Sequence, residues 1–184
     1  EAAFLNWDDP GRVVADESIR GLDADHLYAM MTRFSVSSYS PLEKISCAVD
    51  YALWGVDAFG FRFTNTILHA VNTALVFLLA LRLFALGGAD PLRDATRLAA
   101  LLGAGVFALH PLRVESVAWI SERRDVLSLF WLLLATLLYL RRFDPKRSAL
   151  MSWLPRTGWS GVGSWFCFVL SLLAKASGVT WPLA

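Results

Sequence analysis

FTNTILHAVNTALVFLLALRLFAL, residues 63–86, reads as a membrane-crossing helix. It runs for 24 residues with Arg82 as its one charged residue. A spanning helix needs about 20 predominantly apolar residues, because the hydrocarbon core is roughly 30 Å thick. Three further stretches share the pattern: residues 98–109, 126–140 and 162–174 are nearly free of charge, and the charged residues fall between them. The third and fourth reach spanning length once their polar flanks are included. Residues 98–109 span only if the helix extends back through Arg97 and on towards His110. The whole chain is 56% hydrophobic with a mean hydropathy of +0.48, above the usage of soluble domains. No alternating strand pattern suggests a barrel, so the spans are expected to satisfy their backbones as helices.

Residues 1–60 are polar to amphipathic and are expected to form a periplasmic or lumenal loop with interfacial helices; residues 61–184 carry the spans and connectors. Asn6-Trp7-Asp8-Asp9-Pro10-Gly11 reads as a turn. Residues 18–34 and 42–53 are helix-compatible but not apolar enough to span, and Tyr28, Phe34, Tyr39, Tyr51 and Trp54 suit a membrane interface. Arg93 and Arg97 in one connector, and Arg141, Arg142, Lys146, Arg147 and Arg156 in another, mark the cytoplasmic side. Residues 1–60 and 110–124 then share the opposite face. Arg113, Arg123 and Arg124 run against this bias, which invites an anionic ligand. The chain starts at Glu1 and stops at Ala184 inside an apolar run, so it is expected to be a fragment with further segments on both sides. A net charge of +1 gives no argument for nucleic acid. Cys47 and Cys167 suggest no disulfide framework, and no Cys/His spacing suggests zinc.

Several polar residues are out of place in such a chain. Asn65, His69 and Asn72 recur at i, i+4 and i+7 and so share a helical face. Interhelical hydrogen bonding is the favoured reading of Asn65 and Asn72; for His69 that reading and a functional one stand level. The segment from His110 to Asp125 is the densest in ionisable groups. Pro111 suits a helix first turn, and a surface helix there would put Glu115, Trp119 and Glu122 on one face with Arg123 and Arg124 near its end. Lys175 either snorkels to the interface or contacts an anion.

These residues resemble a known family. Asn6-Trp7-Asp8-Asp9-Pro10, Ser38-Tyr39-Ser40-Pro41-Leu42 with Gly60, Asn65, His69 and Asn72, the block from His110 to Trp119 with Glu122-Arg123-Arg124-Asp125-Val126-Leu127-Ser128, and Ala174-Lys175 with Val179, Thr180 and Pro182 follow in order along the chain. Together they are similar to the membrane domain of the transmembrane and tetratricopeptide-repeat proteins and their bacterial relatives, within the GT-C glycosyltransferases. Departures lie at Ser40, Glu43 and residues 176–178. The resemblance implies an all-α polytopic GT-C-like bundle, with tetratricopeptide repeats beyond this piece. It also implies a polyprenyl- or dolichyl-phosphate-linked sugar donor, and in eukaryotic members O-mannosylation of protein Ser/Thr.

Such a transfer needs a carboxylate for the acceptor proton and cations for the departing phosphate. Asp8 or Asp9 is the expected base, acting in a single inverting displacement. Arg123 or Arg124 would face the phosphate through a planar fork, with Lys175 and His69 behind them. Glu115 would orient substrate or one of the arginines, and His110 and Asp125 complete the substrate-binding set. No cofactor is required, although a divalent metal could bridge Asp9 and Glu115 to phosphate. The competing expectations are a non-catalytic membrane scaffold and a lipid-linked-sugar transporter.

Overall fold

The computed structural model describes residues 4, 9–33, 39–141 and 160–183. The described residues are mostly helical, with no strand among them. The helices are α1 (Ala24–Thr32), α2 (Pro41–Trp54), α3 (Ala58–Leu86), α4 (Asp94–Leu109), α5 (Arg113–Ala118), α6 (Arg123–Leu140) and α7 (Ser160–Ala174). Short turns at Pro10–Val14 and Glu17–Arg20 precede α1, Ile120–Glu122 links α5 to α6, and Ala176–Leu183 follows α7.

α3 is the axis. Asp57 caps it by accepting from the Phe59 amide at 3.0 Å, and at about 1.5 Å per residue its 29 residues extend about 43 Å. Among the described helices it is the one long and apolar enough to cross a membrane. α4, α5 and α6 pack on it, and α7 packs on α6. α4 does extend back through Arg97, but it stops at Leu109 after 16 residues, about 24 Å, and so falls short of the hydrocarbon thickness. The apolar stretch Gly161–Ala174 within α7 is shorter still.

A serine seam joins α6 to α7. The hydroxyls of Ser128 and Ser171 lie 2.9 Å apart, Ser171 donates to the Ser128 carbonyl at 2.9 Å, and Ser164 donates to the Ala135 carbonyl at 2.8 Å. Small hydroxyl residues let two helices approach closely while satisfying their own polar atoms. At the other end of α3, Arg82 is buried and donates to the Leu140 carbonyl at 3.0 Å, serving the carbonyl end of α6 where a cation is favoured.

α2 buries charged side chains alongside apolar ones, Cys47 and Ala48 lying in a hydrophobic core with Ile19 and Phe61. Glu43, Lys44 and Asp50 are buried, whereas Val49, Leu53 and Trp54 are exposed. Gly55, at φ +64°, ends the helix with its amide on the Tyr51 carbonyl, a conformation that favours glycine. The chain then doubles back so tightly that a Cβ on Gly60 would lie 2.3 Å from Trp54 Cγ.

The stretch around Pro10 differs from the expected turn: Pro10–Val14 is a π-helical turn closed by the Ala15 amide on the Pro10 carbonyl at 2.8 Å. Residues 18–34 do not form one helix either. A 3-10 turn at Glu17–Arg20 precedes α1, whose N-terminus Asp23 caps through the amides of Asp25 and His26.

Candidate functional site

The segment from Ser121 to Asp125 organises the site. The surface helix expected through Glu115, Trp119 and Glu122 is broken: α5 ends at Ala118 and Trp119 is extended, at φ −92° and ψ 114°. Two α3 side chains hold the break open. Arg62 Nε donates to the Ala118 carbonyl at 3.1 Å, and Asn65 Nδ2 donates to the Trp119 carbonyl at 3.4 Å. Glu115 and Glu122 therefore sit on separate elements, Glu115 exposed and Glu122 buried. Pro111 precedes α5 in a turn closed by Arg113 on the His110 carbonyl at 2.8 Å.

Asp9 is fully buried, and its Oδ1 accepts from the Ser121 amide at 3.0 Å and from the Ser121 hydroxyl at 2.6 Å. The N-terminal segment is thus pinned to the start of the 3-10 turn. Asp8 lies outside the described residues, as do Arg142, Lys146, Arg147 and Arg156 of the expected cytoplasmic connector. Asp9 and Glu115 are differently placed, one interior and one exposed. Among the described residues no group of three or more His, Cys, Asp or Glu side chains could hold a metal ion.

Arg123 and Arg124 have opposite fates. Consecutive helical residues point about 100° apart, and Arg123 points inward. It is fully buried, with Nε donating to Asn65 Oδ1 at 2.8 Å, Nη2 to the Phe61 carbonyl at 2.6 Å and Nη1 to Ser46 at 3.4 Å. Nη1 also lies 2.5 Å from Asp50 Oδ2, and Asp50 Oδ1 accepts from Thr64 at 2.8 Å. A guanidinium so enclosed holds α2, α3 and α6 together.

Arg124 points the other way, into a group with Glu122, Asp125 and Lys175. Arg124 Nη2 and Glu122 Oε1 are 2.5 Å apart, Lys175 Nζ lies 3.6 Å from Glu122 Oε2, and Lys175 Nζ also bonds Asp125 Oδ1. The Lys175 and Asp125 side chains are about a third exposed, at 32% and 34%, which leaves this cluster open where Arg123 is closed. Burial acts to raise the Glu122 carboxyl, but the Arg124 hydrogen bond and the charges of Arg124 and Lys175 outweigh it and hold it below its ordinary value.

The polar stripe on α3 is spent on packing contacts. Asn72 Nδ2 donates to the Val126 carbonyl at 2.8 Å, and His69 Nε2 lies 3.1 Å from the Ala108 carbonyl with its ring 5.4 Å from that of Phe107. Since a carbonyl only accepts, His69 carries its proton on Nε2. Arg113 covers the same Phe107 ring at 4.7 Å. His110 is exposed, its Nδ1 accepting from the Leu112 amide at 3.3 Å.

A second buried network joins the N-terminal turns to α2. Glu43 accepts from Ser40 at 2.6 Å and lies 3.6 Å from Arg12, while Lys44 lies 3.5 Å from Asp16. Burial raises the Glu43 carboxyl above its ordinary value, with Ser40 and Arg12 opposing, and pushes the Cys47 thiol up to about 12.

Comparison with known proteins finds relatives over much of the chain. The chain is 31% identical over 155 residues to protein O-mannosyl-transferase TMTC2 of Mus musculus, covering 79% of this chain. Its homologues are TMTC protein O-mannosyl-transferases. The Homo sapiens TMTC2 is 32% identical over 146 residues, and the Drosophila melanogaster Tmtc1 is 35% identical over 107 residues, or 58% of this chain. The chain spans 16% of the length of the mouse and human TMTC2 proteins and 11% of the fly Tmtc1. No protein-family model matches the chain, and no solved structure does.

Asp50 and Glu122 are the residues that sequence reasoning left out of the site. Asp50 shares a helical face with Ser46 and Cys47 at i−4 and i−3, a signal visible only once that face of α2 is known to point inward. Glu122 was visible as a face partner of Glu115 and Trp119, but its partners Arg124 and Lys175 come from the fold.

Proposed function

We propose that this chain is part of the membrane domain of a GT-C glycosyltransferase of the TMTC type. It moves a mannose-like sugar from a polyprenyl- or dolichyl-phosphate donor to a hydroxyl of protein Ser or Thr. The observation that carries this reading is the Ser121–Asp125 segment: it binds Asp9 at its start and sets Arg124 beside the partly exposed Lys175 at its end. The likeness to TMTC protein O-mannosyl-transferases over 79% of the chain supports it.

In this reading the helices lie across a bacterial inner membrane or the endoplasmic reticulum, and the site faces the periplasm or lumen. Residues 1–60 form the loop that closes over it, and residues 61–184 supply the bundle. Arg124 and Lys175 stabilise the negative charge that develops on the leaving phosphate. Arg123 supports them from behind, through α2 and α3. Asp8 or Asp9 accepts the acceptor hydroxyl's proton as the hydroxyl oxygen attacks the anomeric carbon, and the lipid phosphate leaves with the bonding pair. Glu115 and His110, both exposed, line the approach from the α4–α5 side, and His69 braces α4 behind them.

The burial of Asp9 on Ser121 favours a second reading, in which Asp9 is a latch for the loop and the chain is a non-catalytic membrane scaffold. Asp9→Asn separates the two. The amide oxygen still accepts from Ser121, so a latch survives, whereas basicity is lost. Full-length protein in lipid would be assayed for transfer of labelled sugar from polyprenyl-phosphate donors to Ser/Thr peptides. Loss of transfer in a folded Asp9→Asn protein supports the base. Undiminished transfer moves the base to Asp8, and absence of transfer in the wild type with every donor supports the scaffold.

A further inference from the structure

We infer that Asp125 and Glu122 are resident counter-anions: they occupy the cationic pair Arg124 and Lys175 until a lipid phosphate displaces them, and they then drive that phosphate out. The inference rests on the reading of this cluster as the phosphate site.

The cluster already supplies its own anions. Two carboxylates meet two cations through Lys175–Asp125, Lys175–Glu122 and Arg124–Glu122. Anions therefore compete here with a built-in pair, unlike an empty basic pocket. Lys175 is the cation able to change partner. It has a flexible four-carbon stem and is 32% exposed, whereas the neighbouring Arg123 is fully buried among Asp50, Asn65 and Phe61.

The reaction changes the charge of the phosphate. A lipid-phosphate sugar is a phosphodiester with one negative charge. When the anomeric C–O bond breaks and the lipid phosphate keeps the electron pair, the product is a phosphomonoester carrying about −1.5 to −2 near pH 7. Two unopposed cations would hold that product more tightly than the donor. Asp125 and Glu122 repel the extra charge and offer Lys175 its resting partner back, so their effect falls more heavily on product than on donor.

The test uses full-length protein in lipid nanodiscs, with decyl phosphate as the monoester probe and decyl methyl phosphate as the diester, each titrated calorimetrically. Asp125→Asn is expected to bind decyl phosphate on the order of tenfold more tightly, as befits loss of one nearby negative charge, with a smaller gain for the diester. Glu122→Gln, which keeps the side chain's shape, is expected to act in the same direction. Lys175→Gln should weaken both probes. If Lys175→Gln weakens binding but Asp125→Asn and Glu122→Gln bind no more tightly than wild type, the counter-anion role is overturned and the phosphate site stands. If neither Lys175→Gln nor Arg124→Gln alters binding of either probe, the phosphate site falls and this inference with it.

Discussion

Arg123 Nη1 and Asp50 Oδ2 meet 2.5 Å apart, with side-chain exposures of 0% and 4%. Asp50 comes from α2 and Arg123 from the first turn of α6, so the pair fastens the N-terminal region to the bundle. Removing one partner of a buried pair strands the other charge, at a cost of about 3–5 kcal/mol. Asp50→Ala should lower the melting temperature of the detergent-solubilised protein steeply. Asp50→Ala combined with Arg123→Met should recover much of that loss. Additive losses in the double variant would mean that the two residues act independently.

Glu43 makes stability depend on pH with a defined sign. Its carboxyl is held above the ordinary value of 4.5, chiefly by burial. A group whose folded pKa is raised binds its proton more tightly when folded. That stabilisation is complete below the unfolded value and is lost as pH rises through the folded one. Wild-type melting temperature should therefore fall relative to that of Glu43→Gln as pH climbs from about 4.5 towards neutrality. Parallel curves for the two proteins would count against it.

Gly60 is required for a close approach rather than for a special backbone angle. A Cβ there would lie 2.3 Å from Trp54 Cγ and 2.6 Å from its Cβ, near the root of that side chain, where it yields least. Gly60→Ala should destabilise by about 1–3 kcal/mol and change the tryptophan emission. Adding Trp54→Ala should relieve most of the strain; no relief would place the clash elsewhere.

Asn72 ties α3 to α6 through the Val126 carbonyl at 2.8 Å. Hydrogen bonds between helices in membranes contribute about 0.6–1.7 kcal/mol. Asn72→Ala should shift unfolding by that amount and leave sugar-transfer specificity unchanged. An altered donor preference would give Asn72 a role at the substrate.

Much of the helical frame was legible in the sequence, because it depends on local hydrophobic runs. Residues 63–86 became α3 with a few extra residues at its N-terminus, and residues 42–53 became α2. Hydropathy could not say which way α2 faces. The usual rule turns Glu43, Lys44 and Asp50 outward, but here the ionic partners lie inside and the apolar Leu53 and Val49 lie outside. The break at Trp119 was also hidden, since it depends on Arg62 and Asn65 taking up carbonyls more than 50 residues away. The meeting of Lys175 with Asp125 is a product of the fold that no spacing in the sequence announced, and the same holds for the Glu122-Arg123-Arg124-Asp125 block. Its two arginines were not separable in one dimension. Their difference is a rotation of about 100° around one helix, which sends Arg123 to Asp50 and Arg124 to Glu122.

The contact between Asp9 and Ser121 closes a loop of 112 residues. A ribosome adding about 5–20 residues per second completes that interval on the order of ten seconds after Asp9 is made. Throughout that time the acidic segment has emerged but its partner has not. Joining of Asp9 to its partner is therefore a late event in biogenesis, whereas the pairs Arg12–Glu43 and Lys44–Asp16 can close within the first few dozen residues.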